Sequence, residues 1–572
     1  MNRAVDPSAL DIFDRISRSS FIHREHERNG QQASDYRATS TPGHLPLTSS
    51  TDSTYARIAF FDVRWVGLLA HSIVVGIVST VLPLTVFPFL TNYLNMEGTQ
   101  TLSARTLLAM PWIFRPFFGA LLDSFALGRF RRRFYLVLGW VICAASLLTA
   151  YLITIPEPYF QDRDLVGIPL SKLSGEQQKT LHFDAPSHGA KYIVLMTIAT
   201  AGYVIADVAA DALIADVAEV HFPSQSLAQE SSFVQAVTTP RYGAMLFSFL
   251  FMGVGMSGWD YGGDFDFTLT YNQVMLAIGI VSLIPIPFGW LGVAETISPT
   301  KSLKAWFRQV WTLFEKRAIC FVIACRFVGG IFAGISATAV NPIAFYWAHV
   351  QPLNDNVVSF VATTFVLLML RVADKKGWEI NFRIMIIAAN VIILILDCGA
   401  TLFTVWNIVR SQWFWIGLPV MEALPSGLDY VILTIIVTEI AEPEYESVMR
   451  GIVTGVSFLA GPFGLTLTKF IDARFDVSNQ DLMQDTQTVR IHATLTFLLA
   501  YICQLLSLAW LFVIPRSGNE AREWKKTSGK SKCYAALLIG TLIACVLWSF
   551  TVHALSVVGS TSCLKLAGGK GC

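Results

Sequence analysis

Three carboxylates stand within eleven residues in the stretch ADVAADALIAD, Ala206 to Asp216, at the end of a long apolar segment. On a helix Asp207 and Asp211 are one turn apart and project to one side, about 40° from each other. Asp216 comes five residues later, on another face. For a helix that starts near Lys191, the α-helical rise puts Asp207 roughly 24 Å along and Asp211 about 6 Å further. Asp216 and Glu219 then reach the membrane surface, where water can hold them. Asp207 needs another explanation, because an aspartate at depth costs at least ~3 kcal/mol. It faces a water path, pairs with a cation, or keeps a proton. Two carboxyls out of water and close together suit proton coupling. They also suit plain neutralisation by arginines.

Three arginines lie well inside apolar segments. Arg115 sits between two prolines in PWIFRPFFGALLDS, Arg241 follows Pro240 in TTPRYGAMLF, and Arg326 sits in CRFVGGIFAG. A guanidinium is a planar fork that stays charged and fits carboxylates. Arg115 and Arg241 could equally meet an anionic substrate or neutralise Asp207 and Asp211. Arg326 has no acid nearby in sequence and is assigned to substrate. The candidate substrate and coupling set is therefore Asp207, Asp211, Arg115, Arg241 and Arg326. Other chemistry finds no motif. There is no HExxH, no G-x-S-x-G, no GxxxxGK[ST] and no Cys/His cluster with metal-ligand spacing, so neither an enzyme, an ATP-driven pump, a metal site nor a cofactor is expected.

The elements that must carry these residues are membrane helices. The 572 residues are 53% hydrophobic and 15% charged, with mean hydropathy +0.52, unlike a soluble protein of this size. A net charge of +1 argues against a nucleic-acid partner. A spanning helix needs roughly 20 mostly apolar residues. Thirteen segments qualify: 65–89, 100–123, 134–156, 191–217, 231–256, 270–294, 318–348, 356–371, 384–409, 414–440, 448–469, 491–515 and 533–557. The eighth is the weakest by length. Residues 1–60 are polar with mixed charge and read as a mobile cytosolic tail. With the N-terminus inside, the inner connections hold 20 Lys and Arg and the outer ones 10, which supports that orientation. Cys563 and Cys572 then lie outside, where they could pair or stay free.

In SLKAWFRQVWTLFEKR, residues Leu303, Trp306, Phe307, Val310, Trp311 and Phe314 form one apolar stripe, as in a helix lying on the inner membrane surface. It divides six helices from six. The expected layout is thus an all-α, major-facilitator-type 6+6 bundle: tail 1–60, first bundle 61–295, amphipathic linker 296–317, second bundle 318–515, and a basic loop, thirteenth helix and short outer tail over 516–572. The spacings of Gly330 with Gly334 and of Gly451 with Gly455 are read as close helix packing.

Family resemblance enters at GALLDSFALGRFRRRFYL, Gly119 to Leu136. Its Gly-x-x-x-Asp followed by Gly-Arg and further bases resembles the inner-loop motif of major-facilitator transporters. By that resemblance Gly119, Asp123, Gly128, Arg129, Arg131 and Arg132 form an inner gate. Together with Pro111, Trp112 and Arg115, with Arg131 to Arg133, and with DVAADAL from Asp207 to Leu213, the chain resembles the folate–biopterin transporter family over about 105–216. Arg115 stands where Lys is expected, Phe134 where Pro is expected, and Asp216 where Glu is usual; the first and last keep their charge. The resemblance implies a folate or pterin as solute; the intramembrane Asp/Arg set and the six-plus-six layout point to a multi-pass secondary transporter in the lipid bilayer, with protons as coupling ion. A plasma membrane is favoured over an organelle membrane. Transport of another organic solute such as S-adenosylmethionine, or a non-transporting receptor on the same fold, are the alternatives.

Overall fold

The structure, a computed structural model, describes residues 66–125, 130–221, 227–293, 295, 302–375, 382–417, 446–513, 524 and 527–572. The expected tail 1–60, Gly128 and Arg129 of the loop motif, and nearly all of the tenth segment lie outside the described residues.

The described chain is helical. Its first group comprises α1 (Val66–Leu84), α2 (Gly98–Ala109), α3 (Arg115–Ser124), α4 (Arg132–Leu152), α5 (Gly189–His221), α6 (Leu227–Gly255), α7 (Tyr271–Leu283) and α8 (Pro285–Leu291). A π-helical turn, Val86–Tyr93, extends α1 into a 28-residue apolar span. The second expected segment does not run straight. Pro111 and Pro116 each occupy a helix-start position, where the missing N–H costs nothing, so a 3₁₀ turn, Met110–Phe114, separates α2 from α3.

The amphipathic linker is α9 (Leu303–Glu315). Its stripe is divided between uses: Phe314 is buried, while Phe307 is 52% exposed. The second group comprises α10 (Arg317–Gly334), α11 (Val340–Tyr346), α12 (Pro352–Lys375), α13 (Phe382–Val405), α14 (Glu446–Asp472) and α15 (Gln487–Ser507), followed by α16 (Lys532–Val557). The seventh segment, read as one run over 318–348, is interrupted after Gly334. The eighth, read as short over 356–371, is a 24-residue helix, Pro352–Lys375, that runs four residues further at each end, through Asn354 and Asp355 at one and Asp374 and Lys375 at the other. Eight described helices are long and apolar enough to cross a membrane.

Packing follows the two groups. α4 lies along α5, α1 along α6, α7 along α4, and α10 along α14, while α12 packs on α6 across the groups. One apolar core fills the first group and reaches Phe345, Trp415 and Phe497 of the second. A smaller one gathers Phe314, Ile323, Leu459 and Cys545 from α9, α10, α14 and α16. α16 therefore does not stand apart as an appendage: it lies against α2 and α14. Beyond it, Cys563 and Cys572 form a disulfide.

The groups also meet at the end of the bundle that carries this disulfide. The backbone N–H of Asn479 donates to Glu97 Oε2 (2.9 Å), and its side-chain amide donates to the Asn95 carbonyl (3.2 Å) and Asn95 Oδ1 (3.1 Å). Tyr346 OH donates to the same Asn95 Oδ1. Asn95 holds a left-handed backbone, φ 52°, which Asn tolerates better than most residues.

Candidate functional site

Asp207 is fully buried on α5, at 0% exposure, and three side chains from three other helices converge on it. Arg115, at the start of α3, reaches Asp207 Oδ2 at 3.1 Å through Nη2, and the same nitrogen pairs with Asp211. Arg241 of α6 pairs with Asp207 Oδ1. His71 of α1 lies 3.3 Å from Asp207 Oδ1 through Nε2. Trp140 Nε1, which can only donate, gives its hydrogen to His71 Nδ1 at 3.0 Å. The bare Nδ1 leaves the ring proton on Nε2, so a neutral His71 donates to Asp207. Two guanidiniums thus face two carboxylates in this cluster.

Local sequence explains the convergence. The one-turn spacing puts Asp207 and Asp211 on a common side of α5. The 3₁₀ turn before α3 sets Arg115 at a helix start, with its guanidinium over the Trp112 ring at 5.3 Å. Gly76 lets α1 touch α6 beside Arg241: an added Cβ would stand 2.4 Å from the Arg241 carbonyl oxygen. Exposure is graded through the cluster. Asp207 and Arg241 are shut away at 0% and 4%, whereas Arg115 and Asp211 retain 14% and 25%. Trp112 extends the site to the second group, where its ring meets Phe458 of α14 at 5.8 Å.

Arg326 lies elsewhere. It sits on α10 with its guanidinium 5.1 Å from the Trp510 ring, beside a recess lined by Val322, Ile323, Val453 and Val456. The five candidate residues are therefore four in one cluster and one in the other group.

At the end of the bundle that carries α9, the loop motif forms its own network. Asp123 at the end of α3 lies 3.5 Å from Arg131 and 3.4 Å from Arg132. Arg132 also pairs with Asp216 and donates to the Ala212 carbonyl at 2.7 Å, both on α5. Gly119 faces Val208 of α5 at ordinary van der Waals distance. Glu295 accepts from the backbone N–H groups of Arg131 (3.0 Å), Arg132 (2.7 Å) and Arg133 (3.2 Å). A carboxylate on those orphan donors caps α4 and complements its dipole.

Sequence reasoning missed His71, Glu295 and three polar groups of the second group. Asp397 of α13 accepts from Tyr501 OH at 2.9 Å. Asp472 of α14 accepts from the Thr338 N–H (2.7 Å) and hydroxyl (2.9 Å). Lys469, also on α14, is completely buried. Each is a polar residue inside or at the edge of an apolar run, the same signal that singled out Asp207.

Residues 75–157 match the model of the BT1 family. This is the folate–biopterin transporter family that the loop and fourth-helix motifs resembled, and the match spans the α1 to α4 region, with Arg115 and the Asp123 loop inside it. No curated protein matches the chain. Among solved structures, a D-xylose–proton symporter aligns at 14% identity and TM-score 0.50, covering 80% of this chain and 98% of the symporter. The inward-open xylose transporter of E. coli aligns at 13% identity and TM-score 0.50, covering 79% and 96%. The BT1-matched chain thus has the major-facilitator fold and is a multi-pass integral membrane protein.

Proposed function

We propose that the chain is a secondary active transporter that moves a folate- or pterin-like solute across a membrane by alternating access, coupled to protons. The observation that carries this reading is the paired cluster of Asp207, Asp211, Arg115 and Arg241 inside an apolar bundle. Buried charges of this kind mark solute and proton pathways in membrane proteins. Its graded exposure suggests an order of events. An incoming carboxylate competes with Asp211 for the partly exposed Arg115. Asp211, once displaced, lies one turn from Asp207 with its cation taken, and it accepts a proton. Release of the solute returns Arg115 to Asp211 and expels that proton. Asp207, held by Arg241 and His71 as well, stays the fixed partner throughout. The match over residues 75–157 supports the solute class. In the same reading the six-plus-six division at α9 separates two bundles, the loop motif is a cytosolic gate, Arg326 serves the solute from the second bundle, and the N-terminus is cytosolic.

The test is uptake of radiolabelled folic acid and biopterin by cells lacking their own carriers, over a range of outside pH. Wild type should accumulate label faster at acid pH, and Asp211→Asn should lose that pH dependence. Asp207→Asn, which leaves two guanidiniums with a single carboxylate, should lose uptake altogether. Equal uptake by all three proteins would make the aspartates structural. A well-inserted wild type that carries neither compound would end the pterin reading.

A further inference from the structure

Lys469 is the largest charged side chain with no exposure in the described structure. Its Nζ donates to Ser103 Oγ on α2 and lies 3.0 Å from His553 Nδ1 on α16. Among the described residues no carboxylate comes within ion-pairing distance of it. His553 is also fully buried. Its Nε2 lies 3.0 Å from the Pro462 carbonyl and 3.3 Å from Thr466 Oγ1, both on α14. Three helices, one from the first group, one from the second and the C-terminal α16, thus enclose two nitrogen bases.

The geometry limits how protons can be arranged. Nε2 faces a carbonyl and must carry hydrogen, so Nδ1 is the variable position. With an ammonium on Lys469, Nδ1 is bare and accepts. With a proton on Nδ1, the hydrogen bond reverses and Lys469 must be the neutral acceptor. Both cations together would repel across 3.0 Å with no anion to offset them. The pair therefore holds one shared proton, and gaining or losing it changes the charge of a dry seam between the groups.

We propose that Lys469 and His553 form a second proton-exchange site, separate from the Asp207 cluster and completed by the C-terminal helix. This rests on the reading of the chain as a proton-coupled carrier. Surrounding charges are placed elsewhere. Asp472, one turn along α14, is engaged by Thr338. Glu97, at the N-cap of α2, faces Asn479. Arg105 stands two residues beyond Ser103 on α2. In the tail after α16, Lys570 pairs with Asp476 and lies 3.9 Å from Asp481, and Lys565 has no ion pair among the described residues. The tail also seals the site. Gly568, in a left-handed conformation at φ 87°, lies on the Lys469 side chain so closely that a Cβ would come within 2.5 Å of Lys469 Cβ. On the other side Ser556 donates to the Thr99 carbonyl of α2 at 3.4 Å. Loss of charge at Lys469 would weaken its bond to Ser103 and let α2 part from α14 and α16.

The experiment needs no solute. Full-length protein in nanodiscs, with isotope-labelled histidine, is titrated while the ring signals are followed; the His553 signal is the one lost in His553→Gln. The proposal expects a ring titration between about pH 5 and 9 that moves by about one pH unit or more in Lys469→Met. Ser103→Ala, which keeps both bases and removes only the acceptor, should move it in smaller measure. A His553 ring that does not respond to pH, or that titrates identically without Lys469, overturns the proposal. The transport arm uses folic acid in liposomes: His553→Gln should lose most gradient-driven accumulation while keeping equilibrium exchange. Undiminished accumulation in that variant overturns the coupling role. If wild type carries no folic acid, the solute reading fails, and the ring titration decides this proposal by itself.

Discussion

Asp207 illustrates how a buried charge is tolerated. Taking a carboxylate from water costs several kcal/mol, and only close, hydrogen-bonded cations return it. Arg115, Arg241 and His71 supply those bonds from three helices, so removing any one leaves the others mismatched. Glu97 is the opposite case, a carboxylate at the rim of the bundle with few compensations. Burial, opposed by the Asn479 N–H and reinforced by Asp481, pushes its carboxyl from near 4.5 up to about 7. The folded chain therefore binds this proton more tightly than the unfolded chain does. Its stabilising effect is complete below the unfolded value and is lost as pH rises to about 7, by about 3 kcal/mol at most. Glu97→Gln keeps an acceptor for Asn479 and removes the titration. Its melting temperature should gain on wild type between about pH 5 and 7.5, and a constant difference across that range would show that Glu97 does not titrate there.

At the scale of elements, the approach of α1 to α6 positions Arg241. Gly76→Ala would drive a methyl into the Arg241 carbonyl and to within 3.0 Å of Ala244 Cβ, an overpacking that costs about 1–3 kcal/mol. Gly243→Ala meets nothing within 4 Å and should be neutral or gain up to about 1 kcal/mol from helix propensity. Thermal unfolding of the two variants side by side checks this; equal melting points would mean the helices yield without strain. The same scale shows what the sequence made legible. Asp207, Asp211, Arg115 and Arg241 stood out because charge in an apolar run is costly wherever it falls. Their pairing was legible only as one of two roles, since the choice depends on how three helices are rotated against one another. Arg326, set apart in sequence because no acid stands near it, lies in the second group against Trp510. Lys469, at the very end of the eleventh apolar segment, carries no sign of burial in sequence, because its concealment is made by α2 and by α16, 84 residues further on. Helix existence was plain from apolar runs. The break at Met110–Phe114 followed from its prolines, while the one after Gly334 carried no comparable local signal.

For the whole molecule, the odd helix count in the proposed topology places the two termini on opposite sides. The Cys563–Cys572 disulfide fits an oxidising compartment, and Cys533, exposed at the start of α16, then faces the cytosol. A membrane-impermeant maleimide on intact cells should label Cys563 and Cys572 only after an impermeant reductant, and Cys533 only after permeabilisation. Labelling of Cys533 in intact cells would reverse the orientation. Reduction frees a loop whose closing residues are nine apart, which removes about 3 kcal/mol of loop-closure stabilisation, so the tail over Lys469 should become the first site of protease cutting.

The place of α16 against Lys469 also bears on how the chain is made. Arg115, His71 and Arg241, the partners of Asp207 described above, have all been synthesised by residue 241, and Glu295 brings its carboxylate to α4 soon after. The early helices can settle their charges among themselves while the ribosome is still at work. Lys469 finds Ser103 already made but waits 84 residues for His553. Until the last helix arrives, one side of this buried amine is uncovered, and a chain cut short before α16 would carry to quality control the very defect that marks it as unfinished.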